Sequence, residues 1–288
     1  MKPEFACVLS LGAAAVASFA AAPAAAQAQS SGEWQYSEGP EICRAYRSFG
    51  EGENSILLQL RTFGPGSAVE TTVASSQVPR EPNSVRLVEL GWDGNGFEDN
   101  QVGVLGSVDG VPSVTMLTAH RSVAAFAFTY DAADVVTPLD PAAESIQLRV
   151  VGNAPRELRM GSLAVPLSRL TECEERLMER WGWGRDYPLR VTTAPEMRDP
   201  QLWFFKAIVY PAVQNLTRVS SILQLRLKVN AEGRVAECVV QSSPGSSLFG
   251  SKNCTGLRKM ARFNPARDSL GQPVESYLQM SITFARFD

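Results

Sequence analysis

Alternation of apolar and polar residues is the clearest signal along this chain. In the C-terminal third, Leu223, Leu225, Leu227 and Val229 alternate with Gln224, Arg226 and Lys228. That is the period-two pattern of a strand with one buried face. Asn230-Ala231-Glu232-Gly233 reads as a turn, and Val235 to Gln241 as the second strand of a hairpin. Cys254, Leu257, Met260 and Ala261 share one face of a helix expected over Ser251 to Phe263, ended by Asn264-Pro265-Ala266. Leu278, Met280, Ile282 and Phe284 then alternate with Gln279, Ser281 and Thr283, giving a last strand. The economical solution packs the helix across one side of a three-stranded antiparallel sheet. Trp203 to Leu216 adds a second helix, with Pro211 near a bend.

Upstream, several short strands separated by turn residues predict a β-rich domain, sandwich or barrel-like. Ile56, Leu58 and Leu60 alternate with Gln59 and Arg61, and Ile146, Leu148 and Val150 with Gln147 and Arg149. Val85 to Leu90 is apolar on both sides, and Phe126, Phe128 and Tyr130 repeat at period two. Leu167, Leu170, Cys173, Leu177, Met178 and Trp181 recur at spacings of three and four, a helix stopped by Gly182 and Gly184. Residues 182–202, with Pro188, Pro195 and Pro200, read as a linker or an irregular crossing between domains. The fold class is α+β. The expected division is a leader at 1–28, a β-rich domain at 29–165, a helix and linker at 166–202, and a C-terminal domain at 203–288.

The leader changes the cysteine arithmetic. Phe5 to Ala22 is an Ala-rich apolar run, and Ala26-Gln27-Ala28 fits a small-residue cleavage site, with Ala24-Ala25-Ala26 as the alternative. This reads as a secretory signal peptide; an uncleaved anchor is the rival. Cleavage removes Cys7 from the five cysteines and leaves Cys43, Cys173, Cys238 and Cys254. Four cysteines allow three connectivities. Cys43–Cys173 and Cys238–Cys254 are favoured, because each pair then falls within one domain.

Composition narrows the chemistry. The 288 residues hold 27 Lys and Arg, 30 Asp and Glu and one His. No basic excess marks a nucleic-acid binder, and one histidine argues against a multi-histidine metal site or a Ser-His or Cys-His enzyme. No cofactor and no metal is expected. Asp93 to Asp99 departs from a calcium loop, with Phe97 and Glu98 where ligand and glycine belong, and reads as a hairpin turn. His120 reads as a loop histidine, and Trp181 and Trp183 as domain-interface residues. Arg258, Lys259, Arg262 and Arg267 read first as a solvated face, with acidic lipid or an acidic segment as the alternative contact.

The C-terminal third resembles the C-terminal domain of the TonB family. The resemblance is carried by Tyr210-Pro211, Gly233-Arg234-Val235, Ser242-Ser243-Pro244-Gly245, Ala261-Arg262-Phe263-Asn264-Pro265-Ala266, Gly271-Gln272-Pro273-Val274 and the terminal strand. It covers about residues 203–287, and Cys238 and Cys254 resemble a pair found in some members. The resemblance implies a periplasmic module that grasps an extended segment of an outer-membrane receptor by strand addition. On this chain it points to Leu278, Gln279, Met280, Ser281, Ile282, Thr283 and Phe284 as the partner-binding edge.

The resemblance also implies a non-enzymatic role linked to outer-membrane transport. The chain departs from energy-transducing members, which carry an uncleaved anchor and a long Pro-rich spacer. Two alternatives stay open. One is an envelope scaffold or homodimer, with the edge protected by a second copy or by the N-terminal domain. The other is a true transducer held at the inner membrane by an uncleaved residue 1–28 segment, which is the one condition for membrane association.

Overall fold

The computed structural model of the chain describes residues 32–82, 84–97, 100–120, 127–128, 138–184, 186–210, 219–243 and 247–285. The leader, Pro211 and most of the stretch around Phe126 and Tyr130 lie outside the described residues.

The N-terminal half builds β1 (Gln35–Glu38), β2 (Cys43–Phe49), β3 (Ile56–Thr62), β4 (Val69–Ser75), β5 (Val85–Trp92) and β6 (Asn100–Val108). It continues with β7 (Val111–His120), β8 (Ala127–Phe128), β9 (Pro138–Leu139), β10 (Ser145–Val150) and β11 (Arg156–Arg159). All but β8 join one continuous sheet in the order β1-β2-β3-β4-β7-β6-β5-β10-β11, with β9 beside β7. A two-sheet sandwich is therefore replaced by one sheet that curls back on itself. Arg47 of β2 donates to the carbonyl of Met160, just past β11, at 2.8 Å.

The curl encloses a core of Leu58, Leu60, Val88, Leu90, Leu105, Val114, Met116, Ile146 and Leu158. Helix α1 (Ala164–Arg180) fills its open side with Leu167, Leu170, Cys173 and Leu177. Gly182 stops α1 at φ 80°, the left-handed cap that glycine adopts without a Cβ penalty. Cys43–Cys173 fastens α1 to β2, and Arg176 and Arg180 clamp Glu38 of β1. Asp93 to Asn95 leave β5 as a turn, and the Asp93 carboxylate accepts from the amides of Glu144 (2.9 Å) and Ser145 (2.8 Å); Glu98 and Asp99 lie outside the described residues.

The rest comprises α2 (Tyr187–Arg190), β12 (Glu196–Met197), α3 (Pro200–Ala207), β13 (Ser221–Val229), β14 (Val235–Ser242) and α4 (Ser247–Met260). The chain closes with β15 (Phe263–Asn264), β16 (Ala266–Arg267), β17 (Pro273–Val274) and β18 (Ser276–Phe284). The segment read as a linker is in fact strapped to the C-terminal domain. Strand β12 pairs with β15, and Thr193 bridges Arg267. Pro200 opens α3 instead of breaking the chain, because the first helical position needs no amide donor. Helix α4 starts and ends a turn earlier than its apolar spacing suggests.

Strands β14, β13 and β18 form the expected three-stranded antiparallel sheet in that order, and a fourth strand joins: β8 pairs with β18 in parallel. Leu223, Leu225, Leu227, Val229, Met280, Ile282 and Phe284 face Phe249, Leu257, Trp203 and Phe204 from the two helices. Gly256 lets α3 approach α4, since a Cβ there would lie 2.1 Å from the Ala207 carbonyl oxygen. Cys238–Cys254 ties β14 to α4.

Candidate functional site

The polar alternate of this sheet looks, in sequence, like a solvent face. It is instead the seam between the two halves of the molecule. Gln224, Arg226, Ser281 and Thr283 are all buried. Arg226 donates through Nε (3.2 Å) and Nη2 (3.0 Å) to the Glu41 carboxylate, which also accepts from Gln241 at 3.1 Å. Its guanidinium stacks 4.4 Å from the Trp181 ring centroid. The Phe63 carbonyl accepts from Gln241 (2.7 Å) and Gln279 (2.8 Å), and the Tyr277 hydroxyl donates to the Pro65 carbonyl at 2.8 Å.

Deeper in the seam, Ser281 donates to Gln224 at 2.6 Å, and Gln224 donates to Glu70 at 2.9 Å. Glu70 is fully buried and ion-paired with Arg61. Burial pushes its carboxyl upward, against the pull of Arg61 and Gln224. Such a network favours one docking geometry, because removing a partner leaves a buried polar or charged group uncompensated.

The aromatic residues finish the seam. Trp181 and Trp183 take the interface place expected of them. Trp183 and Tyr187 both pack on Tyr277, with ring centroids at 6.0 and 5.0 Å. Glu174 of α1 sits beside Thr62 and Tyr277, and burial pushes its carboxyl up to about 7, partly offset by the Thr62 hydroxyl.

The candidate partner edge is the outer side of β18. Its inner side pairs with β13 without a register break, from Ser276↔Val229 to Phe284↔Ser221. Outside, the strand is guarded at two points. The Tyr277 amide donates to the Tyr187 hydroxyl at 3.3 Å. Further along, Ala127 and Phe128 lie opposite Ser281 and Ile282. Between these guards, Leu278 to Met280 have no strand beside them among the described residues. Of the residues read as the edge, Met280, Ile282 and Phe284 point into the helical core, and Gln279, Ser281 and Thr283 into the seam.

The sheet's other edge, β14, pairs only with β13 among the described residues, and that pairing shifts register at Gln224/Leu225 and at Lys228/Val229. Irregularities of this kind twist an edge away from strand addition.

Arg258 and Lys259 lie exposed on α4, whereas Arg262 and Arg267 are turned to backbone carbonyls. The His120 side chain lies outside the described residues.

Residues 206–285 match the family described as Gram-negative bacterial TonB protein C-terminal. This stretch is a TonB family C-terminal domain. No curated protein and no solved structure matches the chain. The β-rich domain, α1 and α2 lie outside the match, so the seam joins a TonB domain to a partner domain that the match does not cover. Among the described residues, no group of three or more His, Cys, Asp or Glu is placed to hold a metal ion, and no helix is long and apolar enough to cross a membrane. Sequence reasoning missed Glu41, Glu70, Gln224, Arg226 and Gln241 as a network, because each one reads alone as a surface residue.

Proposed function

We propose that this chain is an envelope protein of the periplasm whose TonB domain binds a protein partner by strand addition along β18. The partner is an extended segment of an outer-membrane receptor, and the role belongs to receptor-dependent transport. The observation that carries the reading is the long regular edge of β18, which among the described residues is covered at two points, by Tyr187 and by the two residues of β8.

An incoming strand that pairs along most of β18 forms several times more main-chain hydrogen bonds than β8 does. It therefore displaces β8 with a net gain, while the hydrogen bonds supply affinity and the flanking side chains supply selectivity. The opposite sheet face is committed to the seam, which leaves the edge as the accessible part of the sheet.

Hydrogen exchange of the full chain, with and without synthetic receptor segments, tests this. Protection of the Gln279 amide, which faces outward between the two guards, is expected on peptide addition. Protection confined to Val235–Ser242, or none at either edge, rejects strand addition at β18. Concentration-dependent protection of the same amide without peptide would assign the edge to a second copy of the chain.

A further inference from the structure

The outer layer of the TonB domain, made by α3 and α4, carries a second interaction surface. Both helices bury one face in the domain core: Trp203, Phe204 and Ala207 from α3, and Phe249, Cys254 and Leu257 from α4. The opposite faces therefore point away from the seam and from the β-rich domain. On α3, Leu202 and Phe205 are 65% and 62% exposed, one helical turn apart. Together they form a small exposed apolar patch.

The charges around them have one sign. Lys206, Lys252, Arg258 and Lys259 are exposed on the same two helices, and none is in an ion pair among the described residues. No Asp or Glu occurs between Asp199 and Glu232, or between Glu237 and Asp268. The asymmetry extends to the whole chain. Residues 203–288 hold eleven Lys and Arg against five Asp and Glu, and residues 1–202 hold sixteen against twenty-five. Residues 203–288 are thus net basic and the rest of the chain net acidic, and the exposed cations of α3 and α4 belong to the basic part.

We infer that the α3–α4 face docks on an anionic phospholipid surface, with Leu202 and Phe205 entering the headgroup region and Lys206, Lys252, Arg258 and Lys259 meeting the lipid phosphates. A bilayer buries exposed apolar side chains and neutralises scattered cations without needing a shaped counterpart. Each Lys or Arg near such a leaflet strengthens binding about fivefold. An anionic surface attracts the basic part and repels the acidic one, which favours the α3–α4 face toward the membrane. The inference is independent of the strand-addition reading and of residues 1–28.

The test is co-sedimentation of the full oxidised chain with phosphatidylcholine vesicles, with and without phosphatidylglycerol. Binding to the anionic vesicles is expected, falling between about 0.05 and 0.5 M salt as the charges are screened. Arg258→Glu/Lys259→Glu weakens it at least about tenfold, and Leu202→Ser/Phe205→Ser weakens it with little change in salt dependence. Arg156→Glu/Arg159→Glu, on exposed positions of β11, makes the same charge change elsewhere and leaves binding intact. Residues 1–28 are common to every variant, so any contribution from them cancels. Equal loss in the two charge-reversal variants, or equal binding to both vesicle types, overturns the inference. Binding to polyglutamate but not to anionic vesicles overturns it in favour of an acidic protein segment.

Discussion

Gly64 is the tightest point of the seam. It adopts φ 123°, and a Cβ there would lie 2.6 Å from Cη2 of Trp181 and 2.7 Å from Nε2 of Gln279. Backbone strain and the displaced indole add, so Gly64→Ala is expected to destabilise the fold by about 2–3 kcal/mol. The urea midpoint reports the loss, and a shift in tryptophan emission places it at Trp181. An unchanged midpoint would mean that the two halves are not held together here. Glu174 gives the seam a pH dependence. Its folded carboxyl is held near 7, above its ordinary value, so the native state keeps a proton that the unfolded chain releases. Stability contributed by this proton is present at low pH and is lost as pH rises through about 7. Urea midpoints at acid and slightly alkaline pH should therefore converge in Glu174→Gln relative to the parent. Parallel pH profiles for the two proteins would exclude Glu174 as the source.

At the scale of elements, the two disulfides divide the work between the halves. Cys238–Cys254 closes a 16-residue separation between β14 and α4, and Cys43–Cys173 closes 130 residues between β2 and α1. If chain entropy dominates, Cys238→Ser/Cys254→Ser costs about 3 kcal/mol and Cys43→Ser/Cys173→Ser about 5 kcal/mol. Denaturant unfolding of each double variant measures both, and the reverse order would show that the entropic account fails here. Both pairings were legible once the leader was set aside, and so were β13, β18 and α1, because their alternation or helical spacing is strict. What local pattern could not show is where a polar face goes. Gln224, Arg226 and Gln279 have the same spacing whether they meet water or Glu70, Glu41 and the Phe63 carbonyl. Only long-range pairing separates the two cases. Strand β8 was hidden for a related reason. The Phe126-Phe128-Tyr130 repeat suggests a strand, but nothing near it says that the strand belongs to the other domain's sheet.

At the scale of the molecule, β8 joins the two halves at the place where a partner strand would act. The β-rich domain covers one face of the TonB sheet and sends two residues to its edge, so a fold with an exposed hydrogen-bonding edge is partly closed by its own chain. An uncovered edge invites pairing with other chains, and short internal strands are one way proteins prevent it. If β8 is such a guard, removing its amide donors should open the edge without disturbing the seam. Proline has no amide hydrogen and cannot donate to a neighbouring strand. Ala127→Pro/Phe128→Pro is therefore expected to raise the exchange rate of the Ser281 amide, which faces outward as that of Tyr277 does, while those of β13 stay slow. The freed edge should also show concentration-dependent association by light scattering, and should bind an added receptor segment more tightly than the parent. A variant whose Ser281 amide exchanges at the parental rate would show that β8 contributes no protection, and that the β18 edge is governed by Tyr187 and the seam alone.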